Sequence, residues 1–290
     1  MSQTVTSRRQ RHWDLRAAGN FIGGGTGSGL VVVAAAAAVN GAPFRVALAL
    51  GLGGVAAGLS LVWLEIGRPW RACNVFFHAR TSWMTREGMV AIVLIPVGVI
   101  AVLTANVPAA LFAALLAAGF LFCQARILRA ARGIPAWRQE QIVTLILATG
   151  LAEGSGIFLI AGASATRWLV IALFAALLRE AAWLAYRAGL AATPQAAQSL
   201  AVFATPPARL ARAAQLAGLA AIAVALGIVA AAHGVPSGMA LPLAWIGGAL
   251  AALSGWGMKA LLITRAGFTR AVILPAVPTR GKGGGHARPV

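Results

Sequence analysis

Acidic residues are scarce in this chain, which has six Asp and Glu against 24 Lys and Arg among 290 residues. Charged residues of both signs make up only 10% of the chain, whereas a soluble domain has about a quarter. This deficit excludes an ordinary water-soluble globular protein. The net charge of +18 would suggest nucleic-acid binding in a soluble protein, but no basic face with interleaved aromatic residues accompanies it. We expect the arginines to orient the chain in a membrane and to face lipid headgroups.

Residues that bind metals are also few. Cys73 and Cys123 are the two cysteines, whereas an iron–sulfur cluster usually takes four thiolates, and two cysteines form no disulfide pattern. The four histidines lie in the two tails, one loop and one helix end: His12, His286, His78 and His233. No two of them can face each other across a haem. We therefore predict no haem, no iron–sulfur cluster and no metal in this chain.

Long hydrophobic runs dominate what remains, with 60% hydrophobic residues and a mean hydropathy of +0.83. The runs are rich in Ala, Leu and Val without strict alternation, which favours helices over a barrel. We predict an all-α membrane protein with eight transmembrane helices in two four-helix bundles. The expected spans are 19–39, 44–66, 89–106, 109–130, 141–162, 167–187, 213–232 and 241–263.

The segments outside these spans are polar or basic. Residues 1–18 form the expected N-terminal segment, 19–264 the membrane domain and 265–290 a basic, flexible tail. The polar start, without a small-residue cleavage site, predicts no cleavable signal peptide. The segment 188–212, with three prolines, is expected to be a long connection.

Basic residues fall on alternate loops. The N-terminus, the loops after spans 2, 4 and 6, and the C-terminal tail are rich in Arg and Lys, whereas the other loops are short and carry Arg45 and Arg167 at most. By the positive-inside rule both termini are cytoplasmic. Glycines cluster in "GGGTGSG" (23–29) and "GSG" (154–156), one cluster in the first helix of each half, where they should allow close helix contact.

Glu153, Arg179 and Glu180 are ionisable residues expected at membrane depth. Glu153 is near the middle of span 5, and Arg179 and Glu180 are about eight residues before the end of span 6. A charge at such a depth costs a few kcal/mol and normally faces a partner or a wet cavity. These residues are a candidate proton relay, with a structural ion pair inside the bundle as the alternative, chiefly for Arg179.

A second group surrounds the loop "WLEIGRPWRACNVFFHARTSWMTREG" (63–88). Glu65 and Glu87 bracket it, Arg71 lies within it, and Arg16 and Asn20 open span 1 on the same side. Carboxylates beside a guanidinium suit a ligand that exchanges protons together with electrons. Two other arginines of the loop, at positions 80 and 86, are expected to be solvated and to face lipid.

The same loop resembles the signature of the dimethyl sulfoxide reductase membrane-anchor family, a G-R-P-x-R-A-x-N turn followed by S-W-x-x-R-E. "WDLRAAGNFIGGGTGSGL" and "ARGIPAWRQEQIVTLILATGLAEGSG" also look like this family or the related polysulfide-reductase-type anchors. The branch that serves phenylacetyl-CoA:acceptor oxidoreductases is the most similar in character. The resemblance covers spans 1 to 5 and continues to the end by hydropathy.

The resemblance implies an eight-helix, haem-free subunit of a bacterial or archaeal cytoplasmic membrane. Such a subunit exchanges electrons between menaquinone or ubiquinone and a docked four-cluster ferredoxin-like iron–sulfur subunit, which serves a molybdopterin catalytic subunit. Arg71 and Glu87 match family positions tied to quinol binding, and Asn20 sits where polysulfide-type anchors place a polar quinone contact. The family has His-Leu-Gly before the turn, whereas this chain has Glu65-Ile66-Gly67, so a carboxylate would accept the quinol proton there.

Two other functions stay open from the sequence. A small polytopic transporter also uses buried Glu and Arg, and it should work without partner subunits. A purely structural anchor would have no quinone site, and it would tolerate substitution of Glu65, Arg71 and Glu87.

Overall fold

The computed structural model describes residues 3–5, 7–65, 79–161, 165–234, 238–270 and 272–274, with the backbone alone for 3–5, 65 and 272–274. Eight of its helices are long and apolar enough to cross a membrane, which confirms the predicted all-α, multi-pass membrane protein. They are α1 (Leu15–Val39), α2 (Arg45–Glu65), α3 (Trp83–Thr104), α4 (Val107–Arg129), α5 (Gln141–Ile160), α6 (Thr166–Ala191), α8 (Pro206–Ala231) and α9 (Ala240–Thr264). A short helix, α7 (Ala197–Val202), lies between α6 and α8.

Side-chain caps begin three of the long helices. Asp14 accepts a hydrogen bond from the Arg16 backbone N–H at 2.7 Å, and Asn106 accepts one from Ala109 at 2.7 Å. Ser82 caps α3 in the same way. Because the first turn of a helix has unpaired N–H groups, these short polar side chains fix where each span starts.

Three helices begin four or more residues earlier than the apolar runs predicted. α3 starts six residues before the expected position, because Ser82 caps a polar first turn, and this places Glu87 inside the helix. α8 starts at Pro206, since proline fits the first helical turn, so the expected long connection 188–212 was wrong. It is reduced to 192–205, which includes α7. α1 likewise starts at Leu15, within the expected N-terminal segment 1–18.

The two glycine clusters pack against each other. The backbone of Gly29 on α1 lies against Gly150 and Gly154 on α5, where an added methyl group would collide with backbone atoms. α1 also contacts α2, α4 and α9. The first and last four helices are thus in extensive contact, and their division into two bundles remains a prediction.

One face of the helix array carries residues 7–14 and 265–270 and will be called the terminal face. There the backbone N–H of Gln10 donates to Gly267 at 2.8 Å, and that of Arg270 donates to Gly133 in the α4–α5 connection at 3.1 Å. Strands β1 (Gln3–Val5) and β2 (Val272–Leu274) pair antiparallel. The expected flexible tail begins with residues 265–270 packed on the N-terminal segment, and residues 275–290 of that tail lie outside the described residues.

The terminal face is predicted to be cytoplasmic. Reporter fusions at Gly41 and Gly234, in connections at the opposite face, should report an external position, and a fusion at Gly133 an internal one. The physical reason is the excess of Arg and Lys at the terminal face. Paired alkaline phosphatase and fluorescent-protein fusions measure this, and the reverse pattern would refute the orientation.

Candidate functional site

A cavity of about 180 Å³ opens between α1, α2, α3 and α4 near the terminal face. It will be called the α1–α3 cavity. Its walls are mainly apolar and aromatic, and the polar side chains of Asn20 and Glu87 contribute to its lining. The other lining residues are Trp13, Ala17, Phe21, Val62, Met84 and Ile127. An apolar cavity with few polar groups is the usual form of a small-molecule site.

Glu87 and Asn20, which the sequence placed on the same side of the membrane, both line this cavity. Each is only 4% exposed, and the Asn20 amide nitrogen lies 3.5 Å from a Glu87 carboxylate oxygen. Gln124 of α4 donates to the backbone carbonyl of Asn20 at 3.0 Å and fixes this turn of α1. The side-chain oxygens of Asn20 and Gln124 are buried without a hydrogen-bond partner among the described residues. The cluster therefore has spare capacity to accept hydrogen bonds from a bound hydroxyl.

Arg16 lies at the rim of the same region. Its guanidinium donates to the backbone carbonyl of Leu64 at 3.2 Å, one residue before Glu65, and forms an ion pair with Asp14 at 2.8 Å. The hydrogen bond from the Arg16 side chain holds the pKa of Asp14 below its ordinary value. Arg16 does not itself line the cavity, whereas its neighbour Ala17 does.

The remaining two predicted quinone-site residues are not described at the side-chain level. Glu65 is the last residue of α2, and its side chain lies outside the described part of the structure, as does all of Arg71. The structure thus joins Asn20 to Glu87, places Arg16 beside the end of α2, and leaves the roles of Glu65 and Arg71 as predictions.

Arg86 differs from the expected solvated, lipid-facing residue. It is partly buried and donates to the backbone carbonyls of Ala79 at 2.9 Å and Arg80 at 3.0 Å. Its guanidinium also stacks on the Trp83 ring, 4.2 Å from the centroid. Arg86 therefore fixes the chain that enters α3, while Arg80 is exposed as expected.

A second polar cluster lies deep between α1, α5 and α9. Glu153 and Lys259 are fully buried and form an ion pair at 2.6 Å. Thr26 donates its hydroxyl proton to the same carboxylate oxygen of Glu153 at 2.7 Å, and the Trp256 indole N–H donates to Thr26 at 2.9 Å. Thr26 thus joins the pair to α1, and Trp256, from the same helix as Lys259, holds the Thr26 hydroxyl in place.

Glycines provide the space for this pair. A methyl group on Gly25 would collide with the Lys259 ammonium, and one on Gly255 would collide with the Glu153 carboxylate. The small residues of α1 and α9 therefore leave room for two charged side chains to meet between packed helices.

Arg179 and Glu180 belong to different contacts. Arg179, only 1% exposed, donates to the α9 backbone carbonyl of Ala251 at 2.8 Å and to the Ser254 hydroxyl at 2.9 Å. Glu180 forms a two-pronged ion pair with Arg212 of α8. Among the described residues no hydrogen bond directly joins Glu153, Arg179 and Glu180, and their action as a proton relay stays a prediction.

Several residues of these two polar clusters were not predicted from the sequence. Lys259 is the lone charged residue of α9, so that it barely alters the hydropathy of the run. A charge inside an apolar run was nevertheless a usable signal, the same one that identified Glu153. Gln124 and Thr26 gave no such signal, because neutral polar residues are tolerated in membrane helices.

The two histidines that the structure describes lie at opposite faces of the helix array. His12 precedes α1 at the terminal face and His233 follows α8 at the opposite face, while His78 and His286 lie outside the described residues. Within the described residues no three His, Cys, Asp or Glu side chains are grouped to hold a metal. The prediction of a haem-free subunit remains to be tested by spectroscopy.

Comparison with protein-family models and with curated proteins gives no match for this chain. The similarity to the dimethyl sulfoxide reductase membrane-anchor family therefore rests on the motifs quoted above.

Proposed function

We propose that this multi-pass membrane protein is the membrane anchor of a molybdopterin and iron–sulfur oxidoreductase complex. It would exchange electrons between the quinone pool and a docked four-cluster iron–sulfur subunit, with proton transfer in the α1–α3 cavity. The observation that carries the proposal is the buried carboxylate of Glu87 beside Asn20 in that cavity. The resemblance of the neighbouring loop sequence to the anchor family suggests that the reaction in the cavity is quinone chemistry.

The cavity fits the head of a quinone better than a whole ligand. Its volume of about 180 Å³ is below the roughly 300–1,000 Å³ of pockets that enclose complete drug-sized molecules. Trp13 and Phe21 form aromatic walls, which suit a flat ring. A quinone tail is apolar and would extend between the helices into lipid.

The polar residues match the groups of a quinol head. A quinol loses two electrons and two protons on oxidation, and Glu87 is within the cavity to accept one proton from a hydroxyl. The unpartnered amide oxygen of Asn20 can accept a hydrogen bond and orient the ring. The family resemblance implies that Arg71 would stabilise negative charge on the quinol oxygen and that Glu65 would accept a second proton.

The position of the cavity supports electron transfer to a docked partner. It lies near the terminal face, where α2 ends, α3 begins and residues 7–14 and 265–270 pack together. A soluble iron–sulfur subunit that docks on this basic face would come close to the bound ring. The arginines there would interact with acidic residues of the partner and with lipid headgroups.

A transporter is the second candidate, and the Glu153–Lys259 pair favours it. Both side chains are fully buried, and opposite charges at membrane depth are frequent in ion pathways. The α1–α3 cavity is lined by neither residue of this pair, and a transporter gives no reason for it. We therefore favour the anchor.

Copurification separates the two functions. The affinity-tagged chain, expressed with its neighbouring genes, should bring down a cysteine-rich iron–sulfur protein and a molybdenum-containing protein. Metal analysis should find molybdenum and iron in the eluate, and quinol should reduce the bound clusters. A chain that purifies alone, holds neither metal and drives solute-dependent proton flux in liposomes would be a transporter.

A further inference from the structure

A larger cavity lies in the other half of the protein, between α6, α7, α8 and α9. Its volume is about 730 Å³, and it will be called the α6–α9 cavity. It opens at the terminal face, because it is lined by the last turns of α6, the first turns of α8 and the short helix α7. It shares no residue with the α1–α3 cavity, so an inference about it does not depend on the quinone proposal.

The walls of this cavity are apolar. Leu200 and Phe203 from α7 and its end, Leu216 of α8, and Met258 and Leu261 of α9 line it. Such walls, at the level where the helices enter the membrane, suit an acyl chain and not a hydrated ion.

Three arginines line the same cavity, and two of them have no acidic partner. Arg212 is neutralised by Glu180, whose other contact is the side-chain amide of Gln215 at 3.0 Å. Arg187 and Arg209 are exposed, and neither forms an ion pair within the described residues. The cavity therefore carries about two uncompensated positive charges beside its apolar walls.

Apolar walls beside two arginines without an acidic partner favour a ligand that is both amphiphilic and anionic. A guanidinium binds a phosphate through parallel N–H donors, and basic pockets between membrane helices bind anionic lipid headgroups. We infer that the α6–α9 cavity binds an anionic phospholipid, with its phosphodiester at Arg187 and Arg209 and an acyl chain along Leu200, Phe203 and Met258. A neutral quinone head would leave both arginines without a counter-charge.

The test compares anionic and zwitterionic lipids. The full chain, in its purified complex or alone, is delipidated in detergent and titrated with phosphatidylglycerol or phosphatidylcholine, and bound lipid is counted by native mass spectrometry. Wild-type protein should bind one phosphatidylglycerol about tenfold or more tightly than phosphatidylcholine, since each of the two basic residues near the headgroup contributes about a fivefold preference. The double variant Arg187→Gln/Arg209→Gln should lose this preference.

A matched control removes the same charge elsewhere on the terminal face. Arg138 and Arg265 are exposed and do not line the cavity, so Arg138→Gln/Arg265→Gln should retain the tight lipid. Ala201→Trp keeps both arginines but fills the cavity, and it should also release the lipid. An equal loss in the control pair, or unchanged binding in Ala201→Trp, would overturn the cavity assignment.

A competition experiment with inorganic phosphate shows whether the cavity binds a lipid headgroup or a free phosphate ion. Inorganic phosphate at millimolar concentration should leave the bound phosphatidylglycerol in place, because it makes no contact with the apolar walls. Displacement of the lipid by phosphate would show that the arginines bind a free anion, and it would overturn the lipid assignment.

Discussion

Glu87→Gln should lower quinone-linked turnover of the complex by roughly ten- to a thousandfold, the range that loss of a general base or of charge stabilisation covers. Glutamine preserves the shape of the side chain and the contact with Asn20, but it cannot accept a proton from a quinol. The rate is measured by stopped flow as the reduction of the docked iron–sulfur clusters by a water-soluble quinol. Activity with an artificial dye that reacts with the clusters directly should be unchanged.

A matched acid-to-amide change provides the control. Glu140 is exposed, and among the described residues its ion pair is a 3.5 Å contact with Arg129, so Glu140→Gln should leave quinol-dependent rates near those of the wild type. Arg80→Ala, on the loop next to α3, should also have little effect. Arg71→Ala is expected to lower the quinol rate in the same way as Glu87→Gln, because the family resemblance places that cation at the quinol oxygen.

Normal quinol-dependent rates in both Glu87→Gln and Arg71→Ala would refute the proposed quinone site. The chain would then be a structural anchor, provided that copurification with the metal-containing partners is retained. Loss of dye activity in Glu87→Gln would instead indicate a failure of assembly. A substitution of Asn20 that keeps the helix, such as Asn20→Ala, then tests the cavity independently.

The eight helices were predictable because, in a membrane, each long apolar run must form its backbone hydrogen bonds within its own segment. Close helix contact at the glycine clusters 23–29 and 154–156 was predictable as well, because glycine has no side chain; that α1 and α5 contact each other there is a finding of the structure. The start of α3 was not, because hydropathy ignores the polar first turn that Ser82 caps. For that reason the sequence placed Glu87 at the beginning of the span, where the structure has it one turn inside.

The meeting of Asn20 and Glu87 could be predicted only as a shared side of the membrane. Their contact depends on how α1 and α3 are rotated, and this rotation is set by packing with α2 and α4. The partner of Glu153 was even harder to predict, because Lys259 is 106 residues away in the chain. Such a pair becomes visible only when α5 and α9 are in contact.

Arg179 and Glu180 show why adjacency in sequence is a poor guide to shared function. Neighbouring residues of a helix project about 100° apart, so Arg179 faces α9 while Glu180 faces α8. The sequence grouped them as one relay because they are consecutive. In the structure each has its own partners, and the helix geometry is the reason.

The second large effect is expected at the buried pair, where Lys259→Met should lower the free energy of unfolding by about 3–5 kcal/mol, since it leaves the Glu153 carboxylate unpaired in the membrane interior. Glu153→Gln should destabilise comparably, because it strands the ammonium of Lys259. The double variant Glu153→Gln/Lys259→Met removes both charges and should recover to within about 1 kcal/mol of the wild type. Titration with sodium dodecyl sulfate in mixed micelles, followed by circular dichroism, measures these differences.

The surface pair of Arg129 and Glu140 calibrates that experiment. Its side chains are 36% and 83% exposed, so Arg129→Met should change stability by about 1 kcal/mol or less. If Lys259→Met were as mild as Arg129→Met, the Glu153 carboxylate would not depend on Lys259, and water or a proton would have to reach it in the membrane interior. If instead the two single variants are unstable and the double variant is not, the pair holds α5 and α9 together with α1 by mutual neutralisation, and the close glycine packing around it follows from the same requirement.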